Sequence, residues 1–293
     1  MNAHTFGGNW TEEKLDRLGK YLTTYRTIFA NNERAKHFRT WYVDAFAGTG
    51  SRNEPMGPRS LGMFDDVYQE TSGFRDGSAR IALQLANPFD NYLFIEKSKA
   101  RVTALEQVVK TDFAPRLPSC SFHHGDANAL LQQWCKDRDW RKDRAVVFLD
   151  PYGMQVEWST IEALGATRGV DLWYLFPLGT GVSRMLPRDG KITDGWSRRL
   201  DLAFGTRDWH DRFYQKSPTP GLFDDFEALE RDAPEEKINA FIHERLGTAF
   251  FKVAKGLVLR NSKSSPLYLL CFAASNERGA PIAIRIAQSL LGG

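Results

Sequence analysis

Cysteines are few in this sequence, and they stand apart from one another. Cys120, Cys135 and Cys271 are the only three in 293 residues, and none has the Cys-x-x-Cys spacing of a structural zinc site. The adjacent His123 and His124 would point to opposite faces of a strand, so they cannot converge on one ion. The sequence therefore predicts reduced thiols, no disulfide framework and no metal site.

Long apolar runs and a strong charge bias are also missing. No stretch has the length that crosses a bilayer, and residues 1–10 lack the apolar core of a signal peptide. We therefore expect a cytoplasmic protein with no membrane partner. The 39 basic residues nearly balance the 36 acidic ones, giving a net charge of +3. This charge is compatible with a polyanionic partner but does not require one.

One segment points to a cofactor. It reads as a buried strand that ends in an acidic residue and a glycine-rich turn, with the sequence Trp41-Tyr42-Val43-Asp44-Ala45-Phe46-Ala47-Gly48-Thr49-Gly50. In a doubly wound sheet, such a turn opens a pocket for an adenosine-like ligand. The helix expected next is displaced by a polar insert over residues 51–76, and the helical pattern resumes at Gly77-Ser78.

Strand and helix patterns alternate along the rest of the chain. A first helix is predicted from Thr11, with apolar positions at Leu15, Leu18, Leu22, Tyr25 and Ile28 or Phe29. After the glycine turn, strands are predicted at 92–95, 120–123, 145–149 and 171–176, with helices between them. The segments 249–260 and 267–274 form a hairpin pattern, and a last helix covers 281–291. The second glycine-containing turn, Leu178–Val182, is interpreted as a loop.

Four of the predicted strands are followed by acidic residues: Asp44, Glu96, Asp126 and Asp150. Parallel strands with right-handed crossovers bring these positions to one rim of the sheet. Glu96 is placed to accept hydrogen bonds from ribose hydroxyls. Asp126 is placed to bind the adenine amine, with Ala127 under the ring. Helix capping by Asp126 is the alternative interpretation, and the two roles are compatible.

These motifs, in this order, resemble those of class I S-adenosylmethionine-dependent methyltransferases. The resemblance implies an α/β fold with a doubly wound, Rossmann-like, seven-stranded methyltransferase sheet, a C-terminal antiparallel hairpin and a helical insertion after the fifth strand. It also implies S-adenosyl-L-methionine as the cofactor. The residues that would bind it are Asp44, Phe46, Ala47, Gly48, Thr49, Gly50, Gly77, Ser78, Glu96, Lys97, Asp126 and Ala127.

More narrowly, the chain is similar to the three-Cys-motif partner (TcmP) family. The similarity covers the start at Trp10-Thr11 with Lys14, the glycine turn and its insert, the segment 148–153, and the terminal strand ending at Ser275. This family's name refers to three cysteines in a companion protein. The similarity implies a radical-SAM-like companion.

The strand end at Asp150-Pro151-Tyr152-Gly153 is the candidate acceptor site. It is similar to the Asp/Asn-Pro-Pro-aromatic motif of amino-methyltransferases but lacks the second proline, so the aromatic comes one position early. In this interpretation Asp150, Pro151 and Tyr152 are catalytic, and Asp150 accepts a hydrogen bond from the target amine. The alternative is a rigid Asp-Pro turn after a core strand.

Four segments are expected: an N-terminal helical segment (1–40), a methyltransferase-like core (41–182), a helical insertion lobe (183–247), and C-terminal strands with a helix that complete the core (248–293). In the lobe, basic residues are interleaved with aromatic ones, including Arg198, Arg199 and Trp196. Such interleaving suits a nucleic-acid contact. It is also typical of a helical lobe packed on a sheet, and this alternative is slightly favoured.

The first functional hypothesis is methyl transfer to an amine, in nucleic acid. The second is a partner subunit that binds the cofactor or substrate while the three-cysteine companion does the chemistry. A third, a nucleotide-cleaving hydrolase, is disfavoured because no metal-binding carboxylate cluster or activated nucleophile is recognisable.

Overall fold

The computed structural model describes residues 9–49, 77–217 and 228–292. The strands are β1 Arg39–Asp44, β2 Asn91–Glu96, β3 Cys120–His124, β4 Asp143–Leu149, β5 Val170–Phe176, β6 Tyr214–Lys216, β7 Leu229–Arg231, β8 Lys252–Val253, β9 Leu257–Arg260 and β10 Pro266–Ala274. The helices are α1 Asn9–Asn31, α2 Ser78–Leu83, α3 Lys99–Asp112, α4 Ala127–Asp137, α5 Trp158–Ala166, α6 Ser183–Met185, α7 Asp194–Phe204, α8 Asp208–Phe213, α9 Glu235–Ala249 and α10 Ala280–Leu291.

The central sheet confirms the predicted doubly wound fold. Its order is β3-β2-β1-β4-β5-β10-β8, and β9 also pairs with β10. Strands β1 to β5 are parallel, whereas β10 runs antiparallel to β5, β8 and β9. The sheet has eight strands rather than seven because the predicted edge strand over 249–260 forms two short pieces, β8 and β9. The C-terminal antiparallel hairpin is confirmed.

Side chains of the central strands alternate between two helical layers. Trp41 and Val43 of β1 pack in one apolar cluster with α4, α5, α7, α8 and α9. Tyr42 packs in the other cluster with α1, α2, α3 and α10. Asp44 continues the parity of Tyr42 and therefore faces the α1 layer. This alternation decides which helix meets the acidic residues at the strand ends.

The N-terminal helix α1 is confirmed, but its buried stripe differs from the predicted one. Lys14 is buried at 1% exposure, while the predicted core position Leu15 is only partly buried. Thr11, predicted as the helix cap, lies inside the helix, which begins at Asn9. Both differences have one cause, because the stripe that packs on the sheet begins at Trp10 and continues through Lys14 and Leu18.

The segment between β5 and β8 contains helices and one small sheet. The strands β6 and β7 pair in an antiparallel two-stranded sheet that the sequence had not indicated. Leu178–Val182, predicted as a loop, is a π-helical turn directly after β5. Gly179 fits there because a Cβ atom would lie 1.9 Å from the carbonyl oxygen of Pro266. Among the residues that the structure describes, no helix is long and apolar enough to cross a membrane.

A partly buried contact near the amino ends of the parallel strands predicts a pH effect on stability. Tyr21 of α1 donates a 2.7 Å hydrogen bond to Asp171 at the start of β5. Burial raises the pKa of Asp171 to about 6. Since the folded protein then holds this proton where the unfolded chain has lost it, the contribution to stability falls as pH rises from about 4 to about 6.

Asp171→Asn removes this titration and keeps an acceptor for Tyr21. The quantity to compare is the free energy of unfolding of the variant minus that of the wild type. We expect this difference to be about 1–2 kcal/mol larger at pH 7.5 than at about pH 4. Urea denaturation of both proteins across this range measures the difference. An unchanged gap between wild type and variant would show that Asp171 does not titrate in this window.

Candidate active site

The candidate site lies at the point where the strand order reverses. β1 has β2 on one side and β4 on the other, and Asp44 is in register with Phe94 of β2 and Phe148 of β4. The carboxyl ends of these three strands therefore meet at one rim, where open α/β sheets bind their ligands. The residues following the three strands supply most of the predicted site.

Asp44 is fully buried in a polar cluster at this rim. The hydroxyl of Ser78 donates a 2.6 Å hydrogen bond to its Oδ2, and the amide of Phe46 donates to its Oδ1 at 3.3 Å. Burial, followed by the charge of Asp44, raises the pKa of Tyr42, whose protonated hydroxyl lies 3.4 Å from Asp44 Oδ2. The structure thus brings together Asp44 and Ser78, which the polar insert separates in sequence.

The glycine turn contacts the end of β2. Gly48 adopts φ +65°, a conformation that favours glycine. Its amide donates to Glu96 Oε2 at 3.2 Å, and the amide of Ser98 donates to Glu96 Oε1 at 2.9 Å. Each carboxylate oxygen has a second lone pair, so Glu96 retains acceptor capacity for a ligand. Of the same turn, Ala47 and Thr49 are buried, and Gly50 lies outside the described residues.

The third strand end carries a capping residue. Asp126 Oδ1 accepts hydrogen bonds from the amides of Asn128 at 3.0 Å and Ala129 at 3.1 Å, so its predicted capping role is confirmed. Its side chain is exposed, Ala127 beside it is buried, and Lys97 is exposed at the end of β2. Gly77 immediately precedes α2 and, as a glycine, has no side chain with which to cap the helix.

Asp150 forms a buried ion pair with α1. Lys14 Nζ lies 2.6 Å from Asp150 Oδ2, and the side chains are 1% and 4% exposed. The ammonium group is also 5.3 Å from the ring centre of Trp10, which stacks on Tyr268 of β10 at 5.3 Å. The candidate catalytic carboxylate is therefore held by a lysine of α1, the helix that covers this face of the sheet.

Tyr152 reaches across the rim. Its hydroxyl accepts a 3.0 Å hydrogen bond from Arg101 in the first turn of α3, and the guanidinium carbon lies 5.8 Å from its ring centre. Tyr152 follows β4 and α3 follows β2, so this contact passes the carboxyl end of β1 between them. Pro151, between Asp150 and Tyr152, is buried.

Three residues of this site were missed as site residues from the sequence: Lys14, Tyr42 and Arg101. Lys14 had a usable signal, because it occupies a core position four residues after Trp10 and four before Leu18. Arg101 gave none, since its contact with Tyr152 depends on the order of the strands.

No protein-family model matches the chain, and no curated protein matches its sequence. A solved Legionella pneumophila structure of the family DUF519 is 11% identical over 97% of this chain and 92% of its own, with a TM-score of 0.49. An S-adenosylmethionine-dependent methyltransferase from Clostridium acetobutylicum is 12% identical over 89% and 92%, with a TM-score of 0.39.

A Listeria monocytogenes protein, proposed to be an S-adenosylmethionine-dependent methyltransferase, is 12% identical over 82% and 93%, with a TM-score of 0.38. In this chain, five parallel strands wind outward from β1 and β4, and β10 lies antiparallel beside β5. This arrangement is a Rossmann-like, methyltransferase-type sheet.

Proposed function

We propose that this protein is an S-adenosylmethionine-dependent methyltransferase that acts on an amine in nucleic acid. The observation that carries the proposal is the contact between the Gly48 amide and Glu96 at the switch point of a methyltransferase-type sheet. It joins a glycine turn to a buried carboxylate that can accept hydrogen bonds from a ribose.

The donors and acceptors at this rim suit such a ligand. Glu96 would bind the ribose hydroxyls, and Asp126 with Ala127 would bind the adenine. Gly48 and its neighbours would lie against the amino-acid tail, together with Asp44, Ser78 and the remaining predicted cofactor residues. When bound, S-adenosylmethionine supplies an electrophilic methyl group. Asp150 would accept a hydrogen bond from the target N–H and so hold the nitrogen lone pair towards that methyl group.

Tyr152 would stack on the base that carries the amine. Its hydroxyl is tied to Arg101, which restricts the movement of its ring. Lys14 would keep the Asp150 carboxylate in place, since a carboxylate has lone pairs for both the ammonium group and a target amine.

A second function is favoured by the same ion pair. Asp150 is 3% exposed, which suits a carboxylate that anchors α1 as well as one that contacts an acceptor. In that case the chain binds cofactor or substrate and a three-cysteine, radical-SAM-like companion performs the reaction. Asp150-Pro151 is then a structural turn.

Two measurements test these alternatives. Calorimetric titration with S-adenosylmethionine should show binding to the wild-type protein, and its absence would refute the cofactor assignment. Labelled methyl transfer onto total DNA, RNA and protein should label nucleic acid, and the Asp150→Asn variant should lower the rate at least about tenfold, as for a lost positioning contact. Binding without transfer, followed by activity when the companion is added, would favour the second function.

A further inference from the structure

The helix α7 presents an unusual set of exposed side chains. The chain has eight tryptophans, all within the described residues, and Trp196 is the only one in the exposed class, at 42%. Leu202 on the same helix is 48% exposed, and Arg198 and Arg199 between them are exposed. These four residues, Trp196, Arg198, Arg199 and Leu202, are called here the α7 face.

The two arginines of the α7 face differ from other exposed arginines nearby. In the described parts of the chain, neither Arg198 nor Arg199 forms an ion pair or a side-chain hydrogen bond. By contrast, Arg207 pairs with Asp201 at 3.6 Å, and Arg212 pairs with Glu244. Neither guanidinium group is therefore held by a carboxylate of the described residues, although Asp194 lies four residues before Arg198 on the same helix.

Basic residues outnumber acidic ones in the first half of the lobe, whereas residues 218–247 carry three Lys or Arg against eight Asp or Glu. Residues 183–217 carry eight Lys or Arg against five Asp or Glu, and Asp201 is already engaged by Arg207 and by the indole of Trp209 at 2.8 Å. Within α7, Trp196 and Arg199 are three residues apart and Arg198 and Leu202 four apart, so members of each pair are neighbours on the helix surface. An aromatic ring therefore lies beside a cation.

The C-terminal end of α7 lies at the same end of the sheet as the candidate acceptor turn. The residue that caps the C-terminus of α7 is Gly205, which adopts φ +68°, and a Cβ atom there would be 2.0 Å from the Trp158 ring. Trp158 opens α5, which directly follows the turn after β4. Leu200 and Phe204 are buried in the core, which fixes the helix. Leu200 lies one turn after Trp196 on the same side of α7, so Trp196 stands at the margin of the packed side.

We propose that the α7 face binds single-stranded nucleic acid, with Arg198 and Arg199 on phosphates and Trp196 stacked on an unpaired base. The chemistry favours this ligand because guanidinium groups bind phosphate oxygens and an indole ring stacks on any base. A single strand is favoured over a duplex, since a base must be unpaired to stack on a side chain. The inference deepens the proposed function by locating where the strand is held before its amine reaches Asp150.

Binding can be measured without any methyl transfer. Fluorescence anisotropy of the full-length protein with a labelled single strand of mixed sequence gives the affinity at several salt concentrations. Replacing both arginines, Arg198→Gln with Arg199→Gln, should weaken binding about tenfold and lower the slope of log affinity against log salt by about 1.4, because each phosphate contact contributes about 0.7. Trp196→Ala should weaken binding about tenfold and leave the slope unchanged.

Arg141→Gln is the matched control. Arg141 is 88% exposed and paired with Asp139. It precedes the amino end of β4, whereas the candidate acceptor turn follows the carboxyl end, so affinity and slope should not change. A wild-type protein that binds no single strand, α7 variants that bind as the wild type does, or equal binding of a duplex would each overturn the proposal. Strand binding with no methyl transfer would refute the proposed function alone, and methyl transfer with unaltered binding by the α7 variants would refute the inference alone.

Discussion

Replacing Lys14 with methionine is expected to lower the free energy of unfolding by about 3–5 kcal/mol. Methionine retains most of the apolar stem of lysine, so the packing of α1 against the sheet changes little. The Asp150 carboxylate, which is 4% exposed and lies 2.6 Å from the ammonium group, loses its buried counter-charge. A buried carboxylate without this compensation is costly because the protein interior solvates it poorly.

A double variant separates the ion pair from the packing. Lys14→Met combined with Asp150→Asn removes both charges, so the double variant should be more stable than Lys14→Met alone. Lys20→Met is the matched control on the same helix, since Lys20 pairs with Asp16 but both side chains are more than half exposed. Its effect should stay within about 0.5 kcal/mol.

Urea denaturation of the wild type, Lys14→Met, Asp150→Asn, the double variant and Lys20→Met gives the required free energies. A cost below about 1 kcal/mol for Lys14→Met, close to that of the exposed control, would mean that the pair does not hold Asp150. A double variant as unstable as the sum of the two single variants would show that the two charges act independently. Either outcome would also remove Lys14 from the proposed site.

The strand ends of the site were predictable because they depend on local sequence. A continuous apolar run such as Ala145 to Leu149 signals a strand buried on both faces, and the polar residue that follows it must lie at a strand end. Glycine at position 48 signals a turn, and the structure gives it a positive φ. Parallel order then follows from the alternation of strands with helices, so Asp44, Glu96 and Asp150 reach one rim.

The partners of these carboxylates were not predictable in the same way. Lys14 and Asp150 are 136 residues apart in sequence, and their contact requires knowing that β1 and β4 are neighbours and that α1 covers that face. Phe148 of β4 faces the α1 layer, and Asp150, two residues later, continues on the same side. Which residue of α1 meets Asp150 depends on the rotation of the helix about its axis. The stripe beginning at Trp10 fixes that rotation.

The same reasoning applies to the contact between Arg101 and Tyr152. Both residues are close in sequence to predicted strand ends, yet their hydrogen bond spans two neighbouring strand spacings. Strand order alone brings them within reach. Helix patterns and turn residues carry no information on strand order, which is set by the packing of the whole sheet.

Glu96→Gln is expected to weaken the binding of S-adenosylmethionine by about 10- to 100-fold. Hydrogen bonds to a charged acceptor contribute about 1.5–3 kcal/mol, and the variant loses the charge. It also replaces one acceptor with a donor opposite the amide of Gly48 or Ser98, both of which donate to this carboxylate. The turn would then be held less well in the geometry that receives the ligand. Calorimetric titration of both proteins measures the loss.

A ligand lacking the ribose hydroxyls shows whether Glu96 contacts the ribose. If it does, the deoxy ligand should bind the wild type more weakly than S-adenosylmethionine, and Glu96→Gln should add little further loss. Glu106→Gln on α3 is the matched control, because Glu106 pairs with Lys110 on the helix surface. If the losses of binding free energy caused by Glu96→Gln and by the deoxy ligand are additive, Glu96 does not contact the ribose. Glu96 would then act only by holding the Gly48 turn, and the ligand would be bound through the turn itself.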